Sequence, residues 1–312
     1  MILTRTFPIR NSPPKAMRDH YDFSKMKGRK NPDVKRVVMN EMQDLLWPGD
    51  LLGDCLYRSE HLCENTKRHL KEGLVRRLLM IQISRLKIIE IVSADRTGVI
   101  PGPEAVELNL HLNAYYFQLR GALDNAAWAL HYQFGLMGAV NEDDLTARRK
   151  CDLFSKDFLD RISKDHPVLA TGLRSKTEWA TDLKQLRDPA AHRIPLYAVP
   201  GIRSPEEDAD ASTEWQKGMA VVGAMMKPIG EYNGMDDAER MIHQGNHSND
   251  QFETAISHFV KSDQIGHHAP IFAVSGPNGH QIREIRPQMD TDHEAFVSVI
   301  KIVVNELVSV SV

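Results

Sequence analysis

The chain has 312 residues, 42% of them hydrophobic and 26% charged, with a formal net charge of −3. That length can bury a large core as one big domain or two small ones, and the composition is that of an ordinary soluble globular protein. The charge balance excludes a body built wholly to bind nucleic acid, while leaving room for a local basic cleft.

Three cysteines, Cys55, Cys63 and Cys151, form no CxxC or other zinc spacing. An odd, sparse count fits reduced thiols and a cytoplasmic setting. The first residues lack the continuous apolar core of a signal peptide. Lys301, Asn305 and Glu306 interrupt the apolar run that begins at Phe296, so it reads as an amphipathic core segment and not a membrane span.

In chain order, residues 1–60 read as an irregular arm punctuated by Pro8, Pro13, Pro14, Pro32 and Pro48. Lys25, Lys27, Arg29, Lys30, Lys35 and Arg36 make it basic. A charge run this short is a solvated surface or a contact to a phosphate backbone. Residues 61–312 read as one helical-bundle domain with a core region at 104–195 and a C-terminal extension at 200–312.

Residues 64–92 predict a long helix with Leu70, Leu74, Leu78, Ile81 and Ile88 on one face. A break follows from Gly98 to Pro103. The next helix starts near Pro103 and ends at Gly135. Its Leu108, Leu112, Tyr115, Leu119, Leu123, Ala126, Leu130 and Phe134 step by three or four.

A further helix is expected over 142–163, ending before Pro167. Ser175-Lys176-Thr177-Glu178 has the form of a capping box opening a helix whose buried face carries Trp179, Leu183 and Leu186. Pro189 should end or kink that helix at Asp188. Residues 195–213 read as a Pro-rich acidic loop, 213–228 as helix, 230–250 as loop and 251–262 as a short helix. Segments 270–275 and 281–285 flank Gly276-Pro277-Asn278-Gly279, a hairpin signature. The β-branched tail 292–311 fits helix or strand, and is read as helix because Phe296, Ile300, Val303, Val304 and Leu307 share a face. The fold class is therefore mainly α, an antiparallel helical bundle with a small C-terminal β-hairpin.

The segment Arg187-Asp188-Pro189-Ala190-Ala191-His192 carries the most chemistry. A guanidinium can hold phosphate and an imidazole can move a proton, which suffices for metal-free RNA cleavage. The spacing alone decides nothing, since Arg161/His166, Arg240/His247 and Arg286/His293 share it. Context singles out Arg187 and His192: a break at Asp188-Pro189 would let the two converge and aim helix N–H groups at an anion. In an unbroken helix, positions five apart lie about 140° apart around the axis.

Tyr115 to Asn125 together with Leu186-Arg187-Asp188-Pro189-Ala190-Ala191-His192-Arg193 resemble the HEPN superfamily of helical nucleases and nucleotide-binding domains. The likeness spans roughly residues 104–195. It implies an antiparallel bundle that dimerises, the Arg/His segments of two protomers facing across one cleft. It also implies metal-independent cleavage in which the 2′-hydroxyl attacks the adjacent phosphate and leaves a 2′,3′-cyclic phosphate. Carried over, His192 is the general acid or base, Arg187 holds the phosphate and Asp188 orients its partners. Arg193 and Lys184 would touch RNA. Many bacterial members act as toxins or against phage, so such a role, with an antitoxin or regulatory partner, is expected by analogy.

Two bland alternatives stand beside these readings. Arg120 and Asp124, four apart, form either an ordinary helical ion pair or a pair that positions the Arg/His segment. The Arg187 segment itself could be a helix end in a non-catalytic module that binds a partner protein or a nucleotide. Glu239, His243 and His247, with His258, His267 and His268 beyond, raise a metal-dependent hydrolase. Gly245 and Asn246 weaken that helix and the HExxH form is missing, so neither metal nor cofactor is expected. Neither a phosphate-binding Gly-rich loop nor a GxSxG elbow is present.

Overall fold

The structure, a computed structural model, describes residues 48–93, 96–140, 142–192, 194–225, 237–276 and 279–309, with the backbone alone at 189–192, 237–248 and 276. The basic stretch from Lys25 to Arg36 lies outside the described residues. The protein is mainly helical, with a small three-stranded antiparallel sheet. Among the described residues, no helix is long and apolar enough to cross a membrane. The chain forms two compact units, and the 200–312 segment is divided between them.

The larger unit comprises residues 48–93, 106–198 and 270–309 of the described chain. It begins with α1 (Gly49–Gly53), which passes into a π-helical turn at Asp54–Arg58, so residues 49–58 are helical where an irregular arm was expected. The helix expected over 64–92 is present as α2 (Glu64–Arg68), a second π-helical turn (His69–Leu74) and α3 (Val75–Ile91). Its Leu70, Leu74, Leu78, Ile81 and Ile88 are fully buried. Helix α4 (Gly102–Phe134) buries its predicted stripe from Leu108 to Leu130. It stops at Gly135, whose φ of 64° is the left-handed conformation that glycine adopts at no steric cost.

The single helix expected over 142–163 is two: α5 (Leu145–Lys150) and α6 (Lys156–Asp165). Side chains that capture backbone N–H groups explain the break. Asp144 accepts from the Thr146 amide, Asp152 from Phe154 and Ser155 from Phe158, so the chain restarts rather than continues. Helix α7 (Pro167–Arg174) opens with proline at its first position.

Helix α8 (Thr177–His192) corrects two expectations. Ser175 is no capping-box residue, because its hydroxyl donates to the Gly172 carbonyl at 2.7 Å and closes α7 instead. Nor does Pro189 break the helix, which continues through it to His192. Leu183 and Leu186 are fully buried, and α8 packs on the sheet and on the last helix. That packing outweighs the roughly 3 kcal/mol cost of an interior proline.

Strand β1 (Tyr197–Ala198) pairs antiparallel with β2 (Ile271–Gly276), which pairs with β3 (Gly279–Glu284), Ala273 opposite Ile282. The hairpin was legible, whereas β1 falls where a loop was expected. It is pinned by α4: Asn113 accepts from the Leu196 amide at 2.9 Å and Asn109 from the Ala198 amide at 2.7 Å. Helix α11 (Ile285–Ser309) buries Phe296, Ile300, Val303, Val304 and Leu307. Deep in this core, the fully buried Asp292 accepts hydrogen bonds from Tyr116, Trp179 and Gln288, each at 3.0 Å.

The smaller unit comprises residues 96–105 and 199–269. Helix α9 (Pro205–Met225) begins eight residues earlier than the expected 213. The signal is a true capping box: Ser204 Oγ accepts from the Glu207 amide, and the Glu207 carboxylate accepts from the Ser204 amide. Helix α10 (Asp237–Gln264) replaces the expected loop over 230–250 from Asp237 onward, and its backbone is continuous through Gly245 and Asn246. The two helices pack as an antiparallel pair, with Ser262 Oγ donating to the Ala211 carbonyl and His258 facing Glu214 at 2.8 Å.

Candidate functional site

The face of α4 that carries Phe117, Arg120 and Asp124 receives α8 at Arg187 and Asp188. These α4 positions step by three and four, so helical geometry stacks them in one row. The Arg187 guanidinium carbon sits 5.6 Å from the centre of the Phe117 ring, a cation–π contact, and Nη1 reaches Asp188 Oδ1 at 3.1 Å. Arg187 is about three-quarters buried, at 26% exposure.

Arg120 bonds Asp152 at 2.7 Å and Asp124 at 3.3 Å. Burial works against its charge, but Asp124 and Asp152 outweigh that and strengthen it. Asp188 adds to the same field. The Asp124 carboxyl is pushed up by burial, and Arg120 and Arg187 pull it back in part. The structure thus brings Arg187, Asp188, Arg120 and Asp124 into one electrostatic cluster. Lys184 is exposed on α8, one turn before Arg187. The side chain of His192, and Arg193 altogether, lie outside the described residues, as do the side chains of Glu239, His243 and His247. Because α8 is unbroken, positions 187 and 192 lie about 140° apart around its axis.

Sequence reasoning missed a neighbouring row of α4, Gln118, Gly121 and Asn125, each one residue on from the first. Arg77 of α3 donates from Nη1 to Gln118 at 2.7 Å and from Nε to Asn125 Oδ1 at 3.0 Å. Its guanidinium lies flat against Gly121, where a Cβ would come within 2.3 Å of Nη1. With Oδ1 of Asn125 turned to Arg77, its Nδ2 faces His69 Nδ1 at 3.4 Å, so that ring nitrogen accepts. His69 Nε2–H then donates to Glu142 Oε1 at 3.2 Å. Tyr132 and Arg68 donate to the same carboxylate.

This chain of hydrogen bonds floors an open groove of about 640 Å3, lined among others by Asn65, Glu72, Gly73, Arg76 and Val140. Burial lowers His69 from the usual histidine range, against the opposing pull of Glu142. Burial alone would raise Glu142, but bonds from Tyr132 and His69 hold it low. The Tyr132 hydroxyl is pushed up to about 12 by burial and by Glu142. The π-helical turn sets this geometry. It widens the helix where His69, Glu72 and Gly73 meet the groove, and such turns recur at functional sites. Gly73 has no side chain for good reason, since a Cβ there would lie 2.6 Å from the Asn125 amide.

His258 faces Glu214 and His267 faces Glu207, each at 2.8 Å, while burial drives His268 down to about 4. Among the described residues, no group of three His, Cys, Asp or Glu side chains is placed to hold a metal ion. The three cysteines are free thiols, and burial raises Cys55 to about 12. No protein-family model, curated protein or solved structure matches this chain.

Proposed function

We propose that the protein is a HEPN-type, metal-independent endoribonuclease that works as a homodimer. The supporting observation is the seat of Arg187: a guanidinium packed on Phe117 and flanked by the Arg120–Asp124 pair of the longest helix. In this reading Arg187 holds the scissile phosphate. The 2′-oxygen bonds to phosphorus as the bond to the 5′-oxygen breaks. A histidine takes the 2′-hydroxyl proton and another protonates the leaving oxygen. On a continuous helix, one chain does not aim positions 187 and 192 at one point. The reading therefore requires His192 of a second copy across a two-fold axis, which also doubles the phosphate-binding charge. Arg193 and Lys184 would hold flanking RNA. A cytoplasmic role as toxin or phage-defence effector, restrained by an antitoxin or regulatory protein, belongs to the same proposal.

The test is cleavage of total RNA in EDTA by wild type and by Arg187→Ala/His192→Ala. The expected result is cyclic-phosphate ends that survive EDTA and fall at least about a hundredfold in the variant, the usual scale for losing acid–base catalysis. A folded, dimeric wild type that leaves RNA intact would overturn the reading. One observation favours a second reading, a binding module for a partner protein or nucleotide: Arg187 and Arg120 are each engaged by a carboxylate of this same chain. That reading expects His192→Ala to leave function intact.

A further inference from the structure

The groove ends in a pair of side chains that its floor does not use. Glu72 and Arg76 lie one turn apart, both line the groove, and both are about two-thirds exposed. Their nearest approach is 4.0 Å, so neither satisfies the other as a tight ion pair would. The deeper groups differ: Glu142 already accepts from Tyr132, His69 and Arg68. Within the groove, Arg76 therefore presents a cationic donor beside the anionic acceptor of Glu72.

We propose that this groove binds a guanine base, with Arg76 donating to O6 and Glu72 accepting from N1–H and the exocyclic amine. This deepens the ribonuclease reading, and rests on it for the base being part of RNA. The argument is one of donor–acceptor order. Guanine offers an acceptor followed by two donors, which matches arginine followed by carboxylate. Adenine offers a donor followed by an acceptor and would oppose like to like. Uracil supplies an acceptor and one donor and matches in part, and cytosine again reverses the order. Unpaired bases are recognised by such edge contacts. The groove's volume suits one nucleotide. The acidic partner also explains why the site selects a base edge and does not act as a bare phosphate clamp.

The experiment measures affinity by fluorescence anisotropy for four 2′-O-methyl hexanucleotides, CCXCCC with X as G, A, U or C. These strands cannot be cut, since the attacking hydroxyl is blocked. The expected result is guanine binding about tenfold tighter than adenine, the discrimination of one good bidentate contact. Arg76→Ala and Glu72→Gln should each bring the four strands to parity. Both sites are exposed, so the fold should tolerate the changes. Arg58→Ala, an exposed arginine outside the groove, should leave the preference unchanged. Competition by guanosine monophosphate separates the sources: displacement near the strand's own Kd assigns a free nucleotide, and none assigns an RNA base. Equal binding of all four strands, or a preference that survives both groove variants, overturns the proposal. Arg187→Ala/His192→Ala should keep the preference. Guanine selection without cleavage would then discard the nuclease reading alone.

Discussion

The two units are held together by different means. The larger one closes around a buried polar hub, Asp292, on which residues from α4, α8 and α11 converge. The smaller one is built on a helical pair whose seam sets small buried residues, Ala211, Gly218, Ala255 and Ser262, around an aromatic contact between Trp215 and Phe259. Its outer face leaves Met219, Phe252, Ile256 and Val260 about half exposed. A core with a polar hub is specific and brittle, because losing one partner strands the others. A seam lined mostly by small residues is sensitive to added volume.

The sharpest way to break the contrast is Asp292→Ala. It would leave the buried Tyr116 hydroxyl, the Trp179 indole N–H and the Gln288 amide without their acceptor. We expect about 3–5 kcal/mol of lost stability in denaturant melts, concentrated in the larger unit. A loss under 1 kcal/mol would show that the hub is not central.

Acid should weaken both units. Burial lowers His293 in the larger unit to about 3 and His268 in the smaller to about 4. Each folded-state value lies below the ordinary histidine value near 6.5, so the unfolded chain binds the proton first. The stabilisation is complete above about pH 6.5 and is lost as pH falls toward the folded values. For His268 this amounts to at most about 3 kcal/mol. Hydrogen exchange at pH 7 and pH 4.5 should show α9 and α10 opening in acid, and His268→Gln should flatten that dependence. An unchanged pH profile in the variant would assign the effect elsewhere.

The smallest effect is expected from Gly218→Ala. A Cβ there would lie 2.5 Å from the Phe259 ring, which already packs on Trp215 with centroids 4.6 Å apart. The ring must shift, at a cost of about 1–3 kcal/mol. Faster exchange confined to α9 and α10, with the larger unit unaffected, would confirm that the seam is local.

Much of the fold was legible because long apolar stripes on α3, α4 and α11 leave few alternatives to a helix. What failed was punctuation. Pro189 read as a stop or kink and Gly245-Asn246 as a weak point, yet α8 and α10 run through them, because helix length and, on α8, the buried Leu183 and Leu186 outweigh local propensity. Ser175 read as a cap, while the working capping box was Ser204 with Glu207, inside a stretch whose prolines suggested a loop. In the site, Arg120 and Asp124 were singled out by helical spacing, Arg187 and Asp188 by context and the family likeness, and the four stand together. The groove was invisible because His69 and Glu142 lie 73 residues apart, and no local signal marks the Asn125 amide that orients the histidine.

The π-helical turn at His69–Leu74 has a consequence for how this stretch tolerates change. A wide turn holds one residue more than an α-helix would over the same rise. Deleting a single residue there would let the helix rewind as an ordinary α-helix, with the turns on either side left nearly in phase. Arg68 and Arg76 would keep their facing while the widened backbone at His69, Glu72 and Gly73, where the helix meets the groove, was lost. The site is thus written in the count of residues as much as in their identity, and insertions or deletions between 69 and 74 should harm it more than most substitutions.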